Sequence, residues 1–392
     1  MRIMHIITRL ILGGAQQNTV LSAAGQVRRG HEVHLAFGPI YGPEGSLRNE
    51  ASRSGAKLHE VVSMRRAVLP LHDVACYFAL RRVIRRIRPE VVHTHSSKAG
   101  ILGRLAAWHE RVPTVLHTIH GLPFHPGQPR PLHRAFVHAE RLAAKHCHAL
   151  IGITRAMVDA FDAEGIGRGL PFEVIPSGVD ASQFRPVADR EAVRKRVRRD
   201  FGIAPEAEII GIVARLDPLK GQDDLLEIMP VLIRRNPRVH LLMVGDGWHR
   251  TALERRIHAL GMAGRVTITG LVPLSQVPEL LGAMDVMALP SYQEGQGRTL
   301  VEAQLCGVPV VGYAVGGIGE VCIDRTTGLL APPGNHRALA DAIGQLLTNR
   351  ELATHLAAAG RAHAIEHFTI EVMLSKLERL YERLVATQSS RC

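Results

Sequence analysis

The segment 289–311, LPSYQEGQGRTLVEAQLCGVPVV, decides how the chain is read. Val286 to Leu289 is an apolar run of strand length, and Gly295 and Gly297 allow a tight turn. Arg298 to Cys306 reads as a short helix, and Val308 to Val311 as the next strand. The backbone N–H groups of Gly297, Arg298 and Thr299 would then point out of a helix N-terminus at the carboxyl end of a strand. In an open α/β sheet this is where phosphate binds. Glu294 stands just before the turn and Glu302 one turn into the helix. Their spacing alone says little, because 23 Glu in 392 residues give about one such pair by chance. The setting is what informs: carboxylates on either side of a bound phosphate can accept hydrogen bonds from hydroxyl groups. A nucleotide sugar offers that combination.

Working outward, strands and helices alternate through both halves. In the first half, strands are expected at Met1 to Thr8, Glu32 to Phe37, Val91 to His95, Thr114 to Ile119, Ala149 to Thr154 and Glu173 to Pro176. Helices are expected at Gln17 to Arg29, Tyr77 to Arg88 and Leu132 to His146. The second half restarts with strand Glu208 to Ala214, helix Gln222 to Arg235 and strand Arg238 to Val244. Helix His249 to Leu260, strand Val266 to Thr269 and helix Ser275 to Ala283 follow. Such alternation predicts α/β architecture, with parallel sheets covered by helices. At 392 residues two domains are expected. We read two Rossmann-like domains facing across a cleft, with the linker near Gly178 and the basic stretch Arg194 to Arg199 lying between the halves.

Composition narrows the class. The chain is 46% hydrophobic and 21% charged, and it holds no run of eighteen apolar residues. MRIMHIITRL at the N-terminus is a strand pattern and lacks the features of a signal peptide. Cys76, Cys147, Cys306, Cys322 and Cys392 are scattered and never spaced C-x-x-C, as reduced thiols of a cytoplasmic protein would be. The net charge of +12 is uneven: residues 1–178 hold 23 Lys+Arg against 12 Asp+Glu, the remainder 25 against 24. A phosphorylated ligand or an anionic membrane surface fits that excess. With 4% aromatic residues and no recognition motif, nucleic acid is not expected as a partner.

Several side chains can carry chemistry. Arg215 and Lys220, in ARLDPLKG (214–221), follow a strand and precede a helix, placed to neutralise a diphosphate. A solvated loop with ordinary charges is the plain alternative, but Glu294 and the Gly297 amides converge on the same sheet edge. Gly13 and Gly14 follow the first strand and would let backbone N–H groups approach phosphate. They do not form G-x-G-x-x-G, so a dinucleotide site is poorly supported. His93 and His95 share a strand face near His117 and His120; a metal there would need a third ligand, and none is expected. His120 leaves its strand into Gly121 and could hydrogen-bond a sugar hydroxyl. The stretch Tyr77 to Arg88 puts Leu80, Val83, Ile84 and Ile87 on one helix face. Arg81, Arg82, Arg85, Arg86 and Arg88 lie elsewhere, as a solvated face or a membrane-facing one.

Taken together these stretches resemble the retaining glycosyltransferases of family 4, which have the two-Rossmann GT-B architecture. The likeness runs through VVHTHSSKAGILGRLAA (91–107), HTIHGLPFH (117–125), VIPSGVDASQFRP (174–186), ARLDPLKG, VGDG (244–247) and the E-x7-E segment. The HSSKAG form is similar to a bacterial subgroup that builds surface polysaccharides on lipid-diphosphate carriers. The resemblance implies an acceptor-binding domain over residues 1–178, with 370–392 packing back on it as a returning C-terminal helix. A donor domain over residues 179–369 would bind the nucleotide sugar.

It implies further that Arg215 and Lys220 hold the donor diphosphate, Glu302 the ribose hydroxyls and Glu294 the donor sugar. The Gly297, Arg298 and Thr299 amides would support phosphate or sugar, His120 would stand beside the sugar and Gly13–Gly14 near the diphosphate. Two departures stand out: Ser177 where Asn is usual, and Gln296 and Arg298 where an aromatic and an apolar residue are commoner. The implied activity is transfer from a nucleotide diphosphate-sugar, UDP-linked, to a glycan or lipid-diphosphate acceptor. Configuration would be retained, with no cofactor and no metal, at the inner face of the plasma membrane. A sugar-nucleotide epimerase or a non-catalytic binding subunit are the rival readings.

Overall fold

The structure, a computed structural model, describes residues 1–41, 45–124 and 127–389. The chain divides into two units, Met1–Gly178 with Ile370–Cys392, and Val179–Thr369. His125 of the 117–125 stretch, Cys392 and the last residues of the returning segment lie outside the described residues.

The first unit carries β1 (Arg2–Ile7), β2 (Glu32–Phe37), β3 (Lys57–Glu60), β4 (Val91–His95), β5 (Thr114–Ile119), β6 (Ala149–Gly152) and β7 (Phe172–Val174). They form one sheet in the order β3-β2-β1-β4-β5-β6-β7, and every pairing is parallel. A parallel sheet is buried on both faces, which is why these strands read as nearly continuous apolar runs. On one face Ile3, Val91, Leu116, Ala149 and Ile151 pack against Ile370, Met373, Leu374, Leu377 and Tyr381 of the terminal helix Ile370–Ser389. Met4, Ile6, Val92 and Val115 face the other way, toward Leu80 and Ile84 of helix Pro70–Ile87 and Ala106 of helix Ser97–His109.

The second unit repeats the plan with β8 (Glu208–Val213), β9 (Val239–Val244), β10 (Val266–Ile268), β11 (Val286–Leu289), β12 (Val310–Tyr313) and β13 (Leu329–Ala331). Its order is β10-β9-β8-β11-β12-β13. In each sheet the winding reverses once: β1 lies between β2 and β4, and β8 between β9 and β11. At such a reversal the connections leave in opposite directions, opening a crevice beyond the strands' carboxyl ends where ligands bind.

The basic stretch Arg194 to Arg199, read as lying between the halves, falls inside the second unit. It belongs to helix Arg190–Asp200, whose Val193 and Val197 enter the second core. Arg194 Nη2 donates to both carboxylate oxygens of Asp285 at 2.6 and 2.7 Å, and Arg198 Nη2 to the Ala207 carbonyl at 2.6 Å. Valines four residues apart make an apolar stripe that the surrounding arginines mask in the sequence. The helix read from Tyr77 starts at Pro70, and the short strands β3 and β13 carry too few residues for a periodicity to show.

Candidate active site

β8 ends at Val213 and the chain turns through Arg215 to a 3-10 turn, Pro218–Lys220. Asp217 caps that turn by accepting from the Leu219 N–H (3.1 Å) and also accepts from Arg215 Nη2 (3.0 Å). Arg215 is thereby oriented, yet its side chain stays 60% exposed and open to a ligand. The next residue, Gly221, has φ +75°, and a Cβ there would lie 2.0 Å from the Pro290 carbonyl oxygen. Only glycine lets this loop press against the end of β11.

That contact brings Lys220 to Glu294. Lys220 Nζ donates to Glu294 Oε1 at 2.5 Å, and Ser291 Oγ donates to the same oxygen at 3.1 Å. Both side chains are mostly buried, which strengthens the pair relative to a surface ion pair. Gly316, at φ +48°, passes so close behind Glu294 that a Cβ would meet its carbonyl oxygen at 2.2 Å. Beneath them, Tyr292 and Tyr313 hydroxyls both donate to Asp224 Oδ2, at 2.7 and 2.6 Å. These bonds tie the β11 and β12 ends to helix Gln222–Arg235.

Helix Arg298–Leu305 begins at the N-cap Gly297 with no side-chain cap. Its first N–H groups are therefore left for a ligand, and the helix dipole favours an anion there. Glu302 lies on this helix, buried, and burial pushes its carboxyl up to about 7, an effect that the Arg298 charge opposes. Arg298 Nη2 is 3.9 Å from Glu302 Oε1, too far for a hydrogen bond. Burial also lowers the Arg298 guanidinium from its ordinary value, and its Nη1 has no hydrogen-bond partner among the described residues. Arg298 therefore holds an unspent donor beside a carboxyl short of hydrogen bonds.

Arg215, Lys220, Glu294, Gly297, Arg298, Thr299 and Glu302 thus gather at the β8/β11 reversal of one sheet. Sequence reading missed the residues that hold them: Asp217, Asp224, Ser291, Tyr292 and Tyr313. Only Asp217 offered a signal, as an Asp two residues before the N–H that it caps.

Gly13 and Gly14 lie at the β1/β4 reversal of the first unit, where Gly13 is the extended N-cap of helix Gly14–Arg28. With φ −170° this backbone accepts any residue, so the turn itself does not demand glycine at 13. Thr8 Oγ1 and Ser96 Oγ, 2.7 Å apart, join the ends of β1 and β4.

The histidines form more than the pair seen in the sequence. His5 on β1 completes a group with His93 and His95 whose ring nitrogens lie within 4.8 Å, supplying the third ligand that a metal would need. All six ring nitrogens are engaged in hydrogen bonds: His5 with Gln26 and His95, His93 with Tyr381 and Thr118, His95 with His5 and His120. A metal would have to displace that network. Burial lowers His5 to about 4, partly offset by its Gln26 bond, and holds His93, His95 and His117 well below their ordinary value. They are neutral rings.

The helix arginines divide. Glu110 accepts from Arg81 Nε (2.6 Å) and from Arg85 Nε and Nη2 (3.0 and 2.8 Å), so these two are held by the fold. Hydrogen bonds from Arg85, then Arg81, draw the Glu110 carboxyl down to about 2. Arg82 and Arg86 are exposed. Among the described residues no helix is long and apolar enough to cross a membrane.

Residues 12–183 match Glycosyltransferase Family 4, and residues 193–363 match Glycosyl transferases group 1. The chain is 30% identical to D-inositol 3-phosphate glycosyltransferase of Salinispora arenicola (strain CNS-205) over 317 residues, covering 76% of this chain and 69% of that one. It is likewise 30% identical to 2-deoxystreptamine N-acetyl-D-glucosaminyltransferase of Streptomyces fradiae, over 82% and 79% of the two chains. The fold is that of Anabaena Alr3699/HepE, solved in complex with UDP and glucose, at a TM-score of 0.83, 21% identity and coverage of 98% and 100%. Two parallel-sheet units of this kind, carrying this site, define a glycosyltransferase of the GT-B type. The chain belongs to glycosyltransferase family 4.

Proposed function

We propose that this protein transfers a sugar from a UDP-sugar to a hydroxyl of a glycan or lipid-diphosphate acceptor in bacterial surface-polysaccharide synthesis, with the anomeric configuration retained. The observation that carries the reading is the Lys220–Glu294 pair beside Arg215 and the uncapped helix at Gly297. Departure of a nucleoside diphosphate builds negative charge. Arg215, Lys220 and the amides at 297–299 are placed to stabilise it, and Glu294 fixes Lys220 while offering its other oxygen to the sugar. Glu302, and the spare donor of Arg298, would meet the ribose and the diphosphate. No protein nucleophile is needed when the departing phosphate itself helps take the acceptor proton. With two cations doing the work of a divalent ion, turnover should persist in EDTA; loss on chelation with recovery on adding magnesium or manganese would refute that. The UDP moiety is supported by the structural likeness to HepE, whose complex holds UDP.

The test is a thermal-shift screen against UDP-, GDP- and ADP-sugars, since a ligand bound only by the folded state raises its apparent stability. NMR analysis of the product's anomeric configuration, with and without acceptor, follows. An inverted product refutes retention, and an altered donor sugar without acceptor favours an epimerase. Stabilisation by GDP- or ADP-sugars alone refutes the UDP assignment.

A membrane-borne acceptor is favoured by one further feature. Leu71, Val74 and Phe78, spaced along one face of helix Pro70–Ile87, are exposed beside Val68 and the arginines Arg65, Arg66 and Arg82. Apolar side chains ringed by cations suit the surface of an anionic bilayer.

A further inference from the structure

The carboxyl ends of β11, β12 and β13 converge on a buried carboxylate, Asp224. Its Oδ2 accepts from the hydroxyls of Tyr292 (2.7 Å) and Tyr313 (2.6 Å) and lies 3.4 Å from His336 Nε2. Tyr292 follows β11, Tyr313 closes β12, and His336 opens helix His336–Thr348 after β13. Taking a carboxylate out of water is costly unless donors replace the water, and these side chains supply them. Asp224 also stands in the first turn of helix Gln222–Arg235, where the helix dipole favours a negative charge. Burial, and then the bond to Asp224, pushes the Tyr292 phenol up to about 12 and raises Tyr313 as well. Both hydroxyls therefore keep their protons and donate.

The two tyrosines differ in what they carry. Tyr313 is wholly buried and belongs to the second unit's core. Tyr292 is 40% exposed and sits two residues before Glu294. Its backbone N–H donates to the carbonyl of Leu219, the neighbour of Lys220, at 2.9 Å. Its hydroxyl is held by Asp224, so Tyr292 is fastened at both ends. The Ser291–Glu294 bond lies within the loop and cannot anchor it to the sheet. What sets Glu294 against Lys220 is the place of Tyr292, and Asp224 decides that place.

We propose that Asp224, acting through the Tyr292 hydroxyl, is a positioning residue for the Lys220–Glu294 pair and thereby for the transfer step. The proposal rests on the glycosyltransferase reading of that pair. Arg215 and the amides at 297–299 hold a ligand without help from Tyr292, so losing the anchor leaves donor binding largely intact. An interaction that matters chiefly in the transition state is lost from kcat, while KM is kept.

The test compares two substitutions in the full chain, Tyr292→Phe and Tyr313→Phe. Each keeps the ring and removes one bond to the same carboxylate oxygen. Turnover is read as UDP release from UDP-glucose, with water standing in as acceptor. Tyr292→Phe should lower kcat about tenfold, within the roughly hundredfold that a misplacement of about 1 Å can cost, with KM nearly unchanged. Tyr313→Phe should lower the urea midpoint at least as much and kcat by less. Asp224→Ala should match the Tyr292→Phe loss or exceed it, and Asp224→Asn, which keeps an acceptor oxygen in the same shape, should recover most of it. A readout independent of turnover is labelling of Lys220 by an amine-reactive ester, followed by mass spectrometry. Lys220 should react faster in Tyr292→Phe than in wild type, because Glu294 no longer holds its ammonium. Wild-type kcat in Tyr292→Phe, equal kcat losses in the two tyrosine variants, or unchanged Lys220 labelling would each overturn the proposal. A wild type that releases no UDP, with faster Lys220 labelling in Tyr292→Phe, would sink the donor reading and leave the positioning standing.

Discussion

Glu302 should make donor binding depend on pH, and the structure gives the size of the effect. Its carboxyl is held near 7 by burial, against an ordinary value of 4.5. Two ribose hydroxyls donating to it would stabilise the ionised form, so binding and ionisation are linked. If only the carboxylate binds, apparent affinity is reduced by the protonated fraction. Between pH 8 and pH 6 that amounts to about a tenfold loss. A nucleotide diphosphate-sugar suits the assay, because its phosphodiester groups stay ionised across the range and the curve reports the protein. Calorimetric titration at pH 6, 7 and 8, in buffers of different ionisation enthalpy, should also show proton release on binding near pH 7.

Glu302→Gln should bind about tenfold more weakly at pH 8, as a charged hydrogen-bond acceptor becomes neutral, and should lose the pH dependence. The same substitution should stabilise the free protein. The folded-state value lies above the unfolded one, so the contribution of Glu302 is present below pH 4.5 and is lost as pH rises through 7. At pH 8 the deficit is about 3 kcal/mol. A wild type with flat affinity from pH 6 to 8, or a Gln variant that keeps the slope, would refute this assignment.

Arg215→Ala and Lys220→Ala should each lower kcat by about a hundredfold, the scale of removing one charge-stabilising donor, and unchanged turnover in either would sink the diphosphate assignment. Glu294→Ala should chiefly impair transfer and Glu302→Ala chiefly donor binding; the reverse pattern would mean that the two roles are exchanged. Acid should destabilise the fold through its buried neutral histidines, since His5 and His240 are lowered by burial to about 4. Their folded values lie below the unfolded 6.5, so stability present above pH 6.5 is lost as pH falls through about 4. The loss is up to about 1.4 kcal/mol per pH unit for each histidine and outweighs the opposite trend of Glu302. Urea midpoints equal at pH 7 and pH 5 would contradict it. Leu71→Ser with Val74→Ser and Phe78→Ser should release the protein from anionic vesicles, as should high salt; co-sedimentation equal to wild type would remove the membrane reading.

Much of this was legible in one dimension because it is local. Strand β11, the Gly297 turn and helix Arg298–Leu305 are contiguous, and their glycines and apolar runs announce them. Arg215 and Lys220 declared themselves by standing between a strand and a helix, since connection chemistry is written where the connection is made. The resemblance of whole stretches then supplied the architecture. What the sequence could not convey is which distant groups meet. Helix Arg190–Asp200 was hidden under its arginines because only burial distinguishes Val193 and Val197 from a polar stretch. His5 lies 90 positions from His95 and reaches it only because β1 and β4 are neighbours in the sheet. The near-neutral carboxyl of Glu302 and the Glu110 clamp on Arg81 and Arg85 share that origin. Desolvation and hydrogen-bond order depend on what surrounds a group in space, and parallel strands bring together residues that the chain keeps far apart.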